Sequence, residues 1–254
     1  MAVEQPSPGQ QERPLADRTN PFRNHFYGQT SDIEMDSVAR TIANDVYEQL
    51  RHDIISCRML PGSKINIQAL VQKYEVSLGA VREALSKLSA EGLVDARAQR
   101  GYTVSDVSPE DLAELTDARV RIEQECLKLA IEKGGLEWET DIVAALHRLS
   151  HTPYTMPDDP AVLDQRWVKA HREFHRALVS ACDNRWLLRI RGQLYDQSER
   201  YRQLSVPLAR AERDVAQEHR NIADAVIARD VARACAAIAS HMWTTTQIVT
   251  TGLT

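Results

Sequence analysis

The chain has 254 residues, 43% of them hydrophobic and 26% charged, and a formal net charge of −5. That length suits two ordinary cores, the composition is that of a globular protein, and no run of 18 or more apolar residues offers a membrane span. The overall acidity hides an asymmetry: residues 40–105 hold nine Lys/Arg against seven Asp/Glu, whereas residues 106–254 hold nineteen against twenty-three.

The N-terminal stretch MAVEQPSPGQQERPLADRTNPFRNHFYG lacks the apolar segment of a secretory signal and reads as part of a disordered arm over 1–36. Cys57, Cys126, Cys182 and Cys235 are scattered with no CxxC spacing, so they are expected as reduced core thiols of a cytoplasmic protein. Ile42, Val46, Leu50 and Ile54 repeat every four residues and predict a first helix, closed by the turn at Pro61-Gly62. A short helix follows around Leu70 and Val71. After the tight connection Tyr74–Ser77, a third helix carries Val81, Leu85 and Leu88 inward, with Ser77 as its N-cap and Gly92 as its stop. Residues 93–97 and 101–104 read as two strands joined through Gln99-Arg100. Two helices across a tight turn, followed by a hairpin, predict a winged helix-turn-helix over 37–106.

Beyond Ser108 the strand signals disappear. Helices are expected near 109–133, 136–150, 161–182, 185–203, 208–229 and 230–248, with a loop at 151–160. The fold class is therefore mainly α: an N-terminal winged helix-turn-helix and, over 107–250, an all-helical antiparallel bundle.

In the third helix the apolar stripe leaves Ser77, Gly79, Arg82 and Lys87 to face outward. The N-terminal turn of such a helix enters the major groove, where Arg82 can reach a guanine edge and Ser77 and Gly79 can approach the backbone. Arg97 and Arg100 flank the wing turn, where phosphate or minor-groove contacts are made. The alternative for Arg82 is a solvated pair with Glu75, Glu83 or Glu91. The run from Val46 to Val104, with LPG, VREAL, L-x-x-EGLV and RGYTV, resembles the winged-helix domain of the GntR family of bacterial transcription regulators. Leu78 and Gln68 stand where that family commonly has arginines, and Ala80 where it often has proline, so Arg82 alone carries over. Residues 109–247, through ELTDARVRIE, HREFHRALVSACDN and EHRNIADAVIARD, resemble the all-helical effector-binding (FCD) domain of the FadR subgroup.

Of eight histidines, His25, His52, His147 and His151 suggest no role. His171, His175, His219 and His241 fall on three predicted bundle helices, the first two one turn apart. Imidazoles converging from facing helices suit zinc, nickel or copper rather than magnesium or calcium; otherwise His171 points away and the rest line a polar cavity. The resemblance implies a divalent metal, zinc or alternatively nickel, on one Asp and three His. His175, His219 and His241 match the three histidines, and His171 stands at the aspartate position. Four neutral imidazoles leave the ion with two uncompensated charges, which favours an anionic effector such as a carboxylate. The same resemblance places Arg119 toward the ligand, and Arg119, Glu123 and Asn184 are the effector-binding candidates. Arg119 and Glu123 alternatively form an i, i+4 ion pair, and Asn184 is a helix N-cap, a pocket group or both.

These expectations describe a homodimeric, metabolite-responsive regulator, a repressor on the family pattern, binding a pseudo-palindromic double-stranded DNA operator. One rival is a metal-dependent hydrolase, disfavoured because no HExxH, GxSxG or phosphate loop is present and because Glu173 and Glu218 adjoin histidines that point elsewhere. The other is a DNA-binding protein whose metal is purely structural.

Overall fold

A computed structural model of the chain describes residues 30–97, 101–205 and 213–253, with side chains from Ile42 onward except Ala161 and Leu253. The expected arm lies outside the described residues as far as 29, and so does Arg100 with Ala98 and Gln99.

Helix α1 (Thr30–Ile55) starts within the stretch assigned to the arm. Val46, Leu50 and Ile54 are buried, but Ile42 is exposed and Ala43 takes its inward place. A strict spacing of four turns roughly 40° per step on a 3.6-residue helix, so its first member drifts off the face. Strand β1 (Lys64–Ile65) was not foreseen; two residues are too few for a period to register. Asn66 caps α2 (Ile67–Tyr74), and Glu75 ends it at φ 53°, its N–H donating to the Val71 carbonyl. The Ser77 hydroxyl accepts from Ala80 N and starts α3 (Leu78–Ala90). Val81, Ala84, Leu85 and Leu88 form its buried stripe, and Gly92 at φ 72° supplies the left-handed turn that releases the chain. Strands β2 (Val94–Arg97) and β3 (Gly101–Val104) pair antiparallel, and β1 adds to the other edge of β3. Val46, Leu50, Ile54, Leu85, Leu88 and Val104 share one core, so the fold of this part is a winged helix-turn-helix.

The second core is built on α4 (Pro109–Lys133), which Ser108 caps, and α5 (Leu136–Ser150). The loop expected at 151–160 is instead a short hairpin, β4 (Thr155–Met156) and β5 (Asp159–Leu163), and an all-helical bundle is corrected to that extent. Pro160 sits in β5, in a two-stranded sheet where a missing N–H is tolerated, and the hairpin turns through Pro157-Asp158. Consequently α6 (Gln165–Leu178) begins only after Asp164, whose carboxylate caps it, and ends before 182. Helices α7 (Arg185–Ser205), α8 (Val215–Ile227) and α9 (Val231–Leu253) complete the order among the described residues. Helix α4 packs on α7 and α9, α5 on α6, and α8 on α9. Cys126 and Cys182 are buried as expected of core thiols, but Cys57 and Cys235 are only half-buried; all four are free. No described helix is long and apolar enough to cross a membrane.

Helix α7 joins the two cores. Arg51 of α1 pairs with Asp196, which also takes Arg172 at 2.6 Å. Gln197 donates to the Glu91 carbonyl at 2.5 Å, and Arg200 donates to the carbonyls of Ser105 and Asp106. Each core nonetheless has its own apolar contents. Leu85 is fully buried, so Leu85→Ala is expected to destabilise the winged helix by about 2–5 kcal/mol, read as a lower denaturant midpoint in chemical unfolding.

Candidate metal centre

Along α6 the inward positions are Trp167, His171, Phe174, His175 and Leu178. This is an ordinary core stripe in which two positions carry imidazoles. His219 occupies the same kind of position on α8, beside Ile222, Ala223 and Val226. His241 does so on α9, beside Ile238 and Met242. All four histidines are buried, and one ring nitrogen of each lies within 4.8 Å of the others. The Nε2 atoms of His171 and His175 face each other at 3.1 Å. His171 ring-stacks on Trp167, with centroids 4.6 Å apart.

Neighbours orient the rings. Glu218 Oε2 accepts from His241 Nδ1 at 2.7 Å, so the His241 proton is on Nδ1 and its Nε2 presents a lone pair. Glu218 is itself held by the Arg213 guanidinium through two hydrogen bonds of 2.8 Å. Sequence reasoning dismissed Glu218 because it adjoins His219, whereas it serves His241 across the helix pair. His171 Nδ1 meets Tyr195 Oη at 3.1 Å. If Nδ1 donates there, Nε2 is left as an acceptor. His219 Nε2 and His175 Nδ1 are buried with no hydrogen-bond partner among the described residues. Four imidazole nitrogens around an ion at 2.0–2.1 Å would lie roughly 3.4 Å apart in a tetrahedron, so the observed set needs only small closure. An orphaned buried ring nitrogen and a donor set made only of imidazoles fit a borderline transition-metal ion.

A small cavity lined by both polar and apolar side chains adjoins the cluster. His171 and His241 form one part of its lining, and Arg119, Tyr195, Glu199 and Arg202 form another. Arg119 therefore faces the cavity, its guanidinium 5.0 Å from the Tyr195 ring centroid and its Nε without a partner among the described residues. Glu123 does not line the cavity. It is fully buried and accepts from Arg191 Nε and Nη2 at 2.9 Å, which replaces the pairing with Arg119 that its spacing suggested. Asn184 is exposed and caps α7, accepting from the Trp186 and Leu187 amides. Sequence reasoning missed Tyr195, Glu199 and Arg202, which repeat at helical spacing along α7 and face the cavity together.

On the winged helix, Ser77, Gly79, Arg82, Lys87 and Arg97 are all exposed. Lys87 pairs with Glu83 at 3.0 Å. Glu91 is taken by Tyr47 and Arg51. Arg82 has no ion pair among the described residues, so none of Glu75, Glu83 and Glu91 neutralises it.

Burial drives His171, His175 and His219 well below the ordinary imidazole value of 6.5, with neighbouring cationic groups acting in the same direction. Burial lowers His241 too, against the Glu218 hydrogen bond. Glu218 is held at about 2, because bonds from Arg213 and His241 outweigh the burial that opposes them. The folded chain thus keeps these rings neutral, while the unfolded chain protonates them below pH 6.5. Stability is unaffected above that value and is lost as pH falls below it, by up to about 1.4 kcal/mol per pH unit for each ring. Metal-free protein is therefore expected to show a melting temperature that drops steeply between pH 7 and pH 5. His175→Gln should flatten that slope in the same thermal scans.

Sequence comparison places these observations. Residues 42–104 match the family described as bacterial regulatory proteins, gntR family, and residues 114–243 match the FCD domain. The HTH-type transcriptional regulator BphR of Paraburkholderia xenovorans (strain LB400), described as uncharacterized, is 39% identical over 210 residues, 83% of this chain and 86% of BphR. The HTH-type transcriptional repressor GlaR of Escherichia coli (strain K12) is 36% identical over 212 residues, 81% of this chain and 94% of GlaR. Among solved structures, E. coli McbR/YncC superposes with a TM-score of 0.70 at 19% identity, covering 84% of this chain and 99% of that one, a likeness of fold. The winged helix, the helical second core and these relatives agree: the chain belongs to the gntR family of bacterial regulatory proteins, carries an FCD domain, and is a DNA-binding transcription regulator rather than an enzyme.

Proposed function

We propose that this regulator is a cytoplasmic, homodimeric repressor that senses a small carboxylate through a divalent metal in its second core. The observation that carries the reading is the buried four-histidine cluster opening on a cavity with an unpartnered arginine nitrogen. His171, His175, His219 and His241 would hold the ion, zinc by ligand type with nickel the alternative. An ion so bound supplies a Lewis-acidic position for an anion. Glu218 and Tyr195 keep the His241 and His171 rings in place, and Arg119 offers a guanidinium to the effector. Arg191 holds Glu123 and the His175 carbonyl, so Glu123 serves the site by fixing that helix rather than by touching ligand. Asn184 acts through its cap on α7.

The α7 helix supports a route from cavity to DNA. Its Tyr195, Glu199 and Arg202 face the cavity, while Asp196, Gln197 and Arg200 bond to α1, to the end of α3 and to the segment after β3. A ligand with different affinities for two positions of this helix shifts the placement of the winged helix, and with it operator affinity. GlaR is named a repressor, which supports repression here. Two winged helices related by a two-fold axis match a pseudo-palindrome. Arg82 reads a base edge, Ser77 and Gly79 allow close approach, and Lys87, Arg97 and Arg100 serve phosphates and the wing contact.

In gel-shift titrations, Arg82→Ala is expected to weaken operator binding by about 1–3 kcal/mol and to relax one base position; normal binding would displace the recognition helix from the groove. Elemental analysis of the purified protein is expected to give one divalent ion per chain, and His175→Ala to abolish it. Organic acids should then raise the melting temperature only when metal is present. Retention of metal by His175→Ala, or stabilisation indifferent to chelator, would refute the metal-dependent sensor.

A further inference from the structure

The N-terminal end of α3 offers few side chains that can read DNA, and one of them is apolar. Leu78, the first residue of the helix, is 38% exposed, whereas Val71 and Val76 just before it are half-buried against the winged-helix core. The Ser77 hydroxyl oxygen is committed to the Ala80 amide, and Glu83 is matched by Lys87 at 3.0 Å. Gly79 presents no side chain, although its φ is not in the left-handed region. Among the described residues a Cβ there would meet only the Ser77 Oγ within 4 Å, at 3.7 Å, so nothing inside the chain requires glycine. Glycine also weakens a helix relative to alanine, and the close approach of another surface accounts for it. Leu78 and Arg82 lie one helical turn apart on the same side, beside this gap. Arg82 supplies an exposed hydrogen-bonding fork, and Leu78 supplies only hydrocarbon. Pressed on a polar base edge, such a side chain would strip water from donors and acceptors that it cannot satisfy. The one base-edge feature of the major groove that it matches is the C5-methyl group of thymine.

We propose that Leu78 is a specificity-determining residue of this regulator, its side chain packing on a thymine methyl group beside the base pair that Arg82 reads. This rests on α3 being the recognition helix, and it adds a base that no hydrogen bond would select. From residue 78 to residue 82 the helix rises about 6 Å, so the thymine lies within about two base pairs of the Arg82 contact. The contact neutralises no phosphate. It therefore adds sequence preference without adding to the salt dependence of binding.

The test begins by selecting binding sites for the full-length protein from a random pool of double-stranded DNA, and continues with gel-shift titration of the selected site. Each thymine of that site is replaced in turn by uracil, which removes only the C5-methyl group. At a thymine within about two base pairs of the position that Arg82→Ala relaxes, the replacement is expected to weaken binding roughly 3- to 5-fold, the worth of one buried carbon. Leu78→Ser should bind the thymine and uracil sites equally, with an unchanged salt slope, while Leu78→Met keeps the discrimination. The uracil comparison is made on the unaltered protein, so misfolding of a variant cannot mask it. If no uracil replacement matters, or if the methyl effect survives in Leu78→Ser, the assignment to Leu78 fails; weakened binding by Arg82→Ala then still supports α3 as the recognition helix. If Arg82→Ala and Leu78→Ser both leave the selected sequence unchanged, or if the pool yields no preferred site, the recognition-helix reading and the Leu78 assignment fail together.

Discussion

Four neutral imidazoles sealed among helices are the constraint on which the second core depends. His171, His175, His219 and His241 take positions that Leu or Ile would fill in an ordinary bundle. Burial forbids them charge, and packing with Trp167 and Phe174 fixes their rings. Hydrophobic packing alone would favour apolar side chains there, since a buried polar group without a partner costs about 1–3 kcal/mol. His219 Nε2 and His175 Nδ1 are such groups. The core therefore gives up stability locally and recovers it elsewhere, through the fully buried Leu127, Ile142, Phe174, Leu178 and Ile222 around the cluster.

The second dependence is on α7. A single helix of 21 residues carries the cavity wall on one face and the contacts to the winged helix on the other. Residues 195, 199 and 202 fall within a narrow arc of the helical wheel, and residues 196, 197 and 200 lie around the far side. Such a helix cannot tilt to follow a ligand without disturbing Arg51–Asp196 or the Arg200 bonds to the carbonyls after β3. These contacts are half-buried ion pairs and hydrogen bonds rather than a sealed apolar seam. Individually they are weak, so they suit the two arrangements that the proposed ligand switch requires.

Much of this was legible in the sequence, for a physical reason in each case. Ser77 and Ser108 announce helix starts because a short hydroxyl side chain can cap orphan amides, and both do so. The inward stripe Val81, Leu85, Leu88 is a local period and needs no tertiary knowledge. The four histidines could be grouped because the bundle brings its facing helices to one centre. What was not legible depends on partners distant in sequence. Glu123 was expected at the effector site or, by spacing, on Arg119, yet it goes to Arg191, 68 residues away, a pairing that satisfies a carboxylate with no exposed surface. Glu218 reaches His241 rather than serving its sequence neighbour. The hairpin Thr155–Leu163 escaped notice because its strands are short and contain proline.

Histidine at position 171 ties these threads together. An aspartate there would bring a negative charge to the cluster but could not stack on Trp167, as the imidazole does at an interplanar angle of 21°. The imidazole thus closes the apolar wall and keeps a nitrogen for an ion, at the expense of one unit of charge compensation. In a metal-loaded site that missing charge has to come from the ligand, because the nearest carboxylates, Glu199, Glu218 and Glu123, are each committed to an arginine. Metal and anion then support each other's binding, and by linkage each must raise the other's affinity by the same factor. A site built with aspartate holds its ion with less help from the ligand. On the proposed metal-dependent reading, position 171 would set how strongly the metal's occupancy and the ligand's are coupled, and the other three histidines would set whether a metal is held at all.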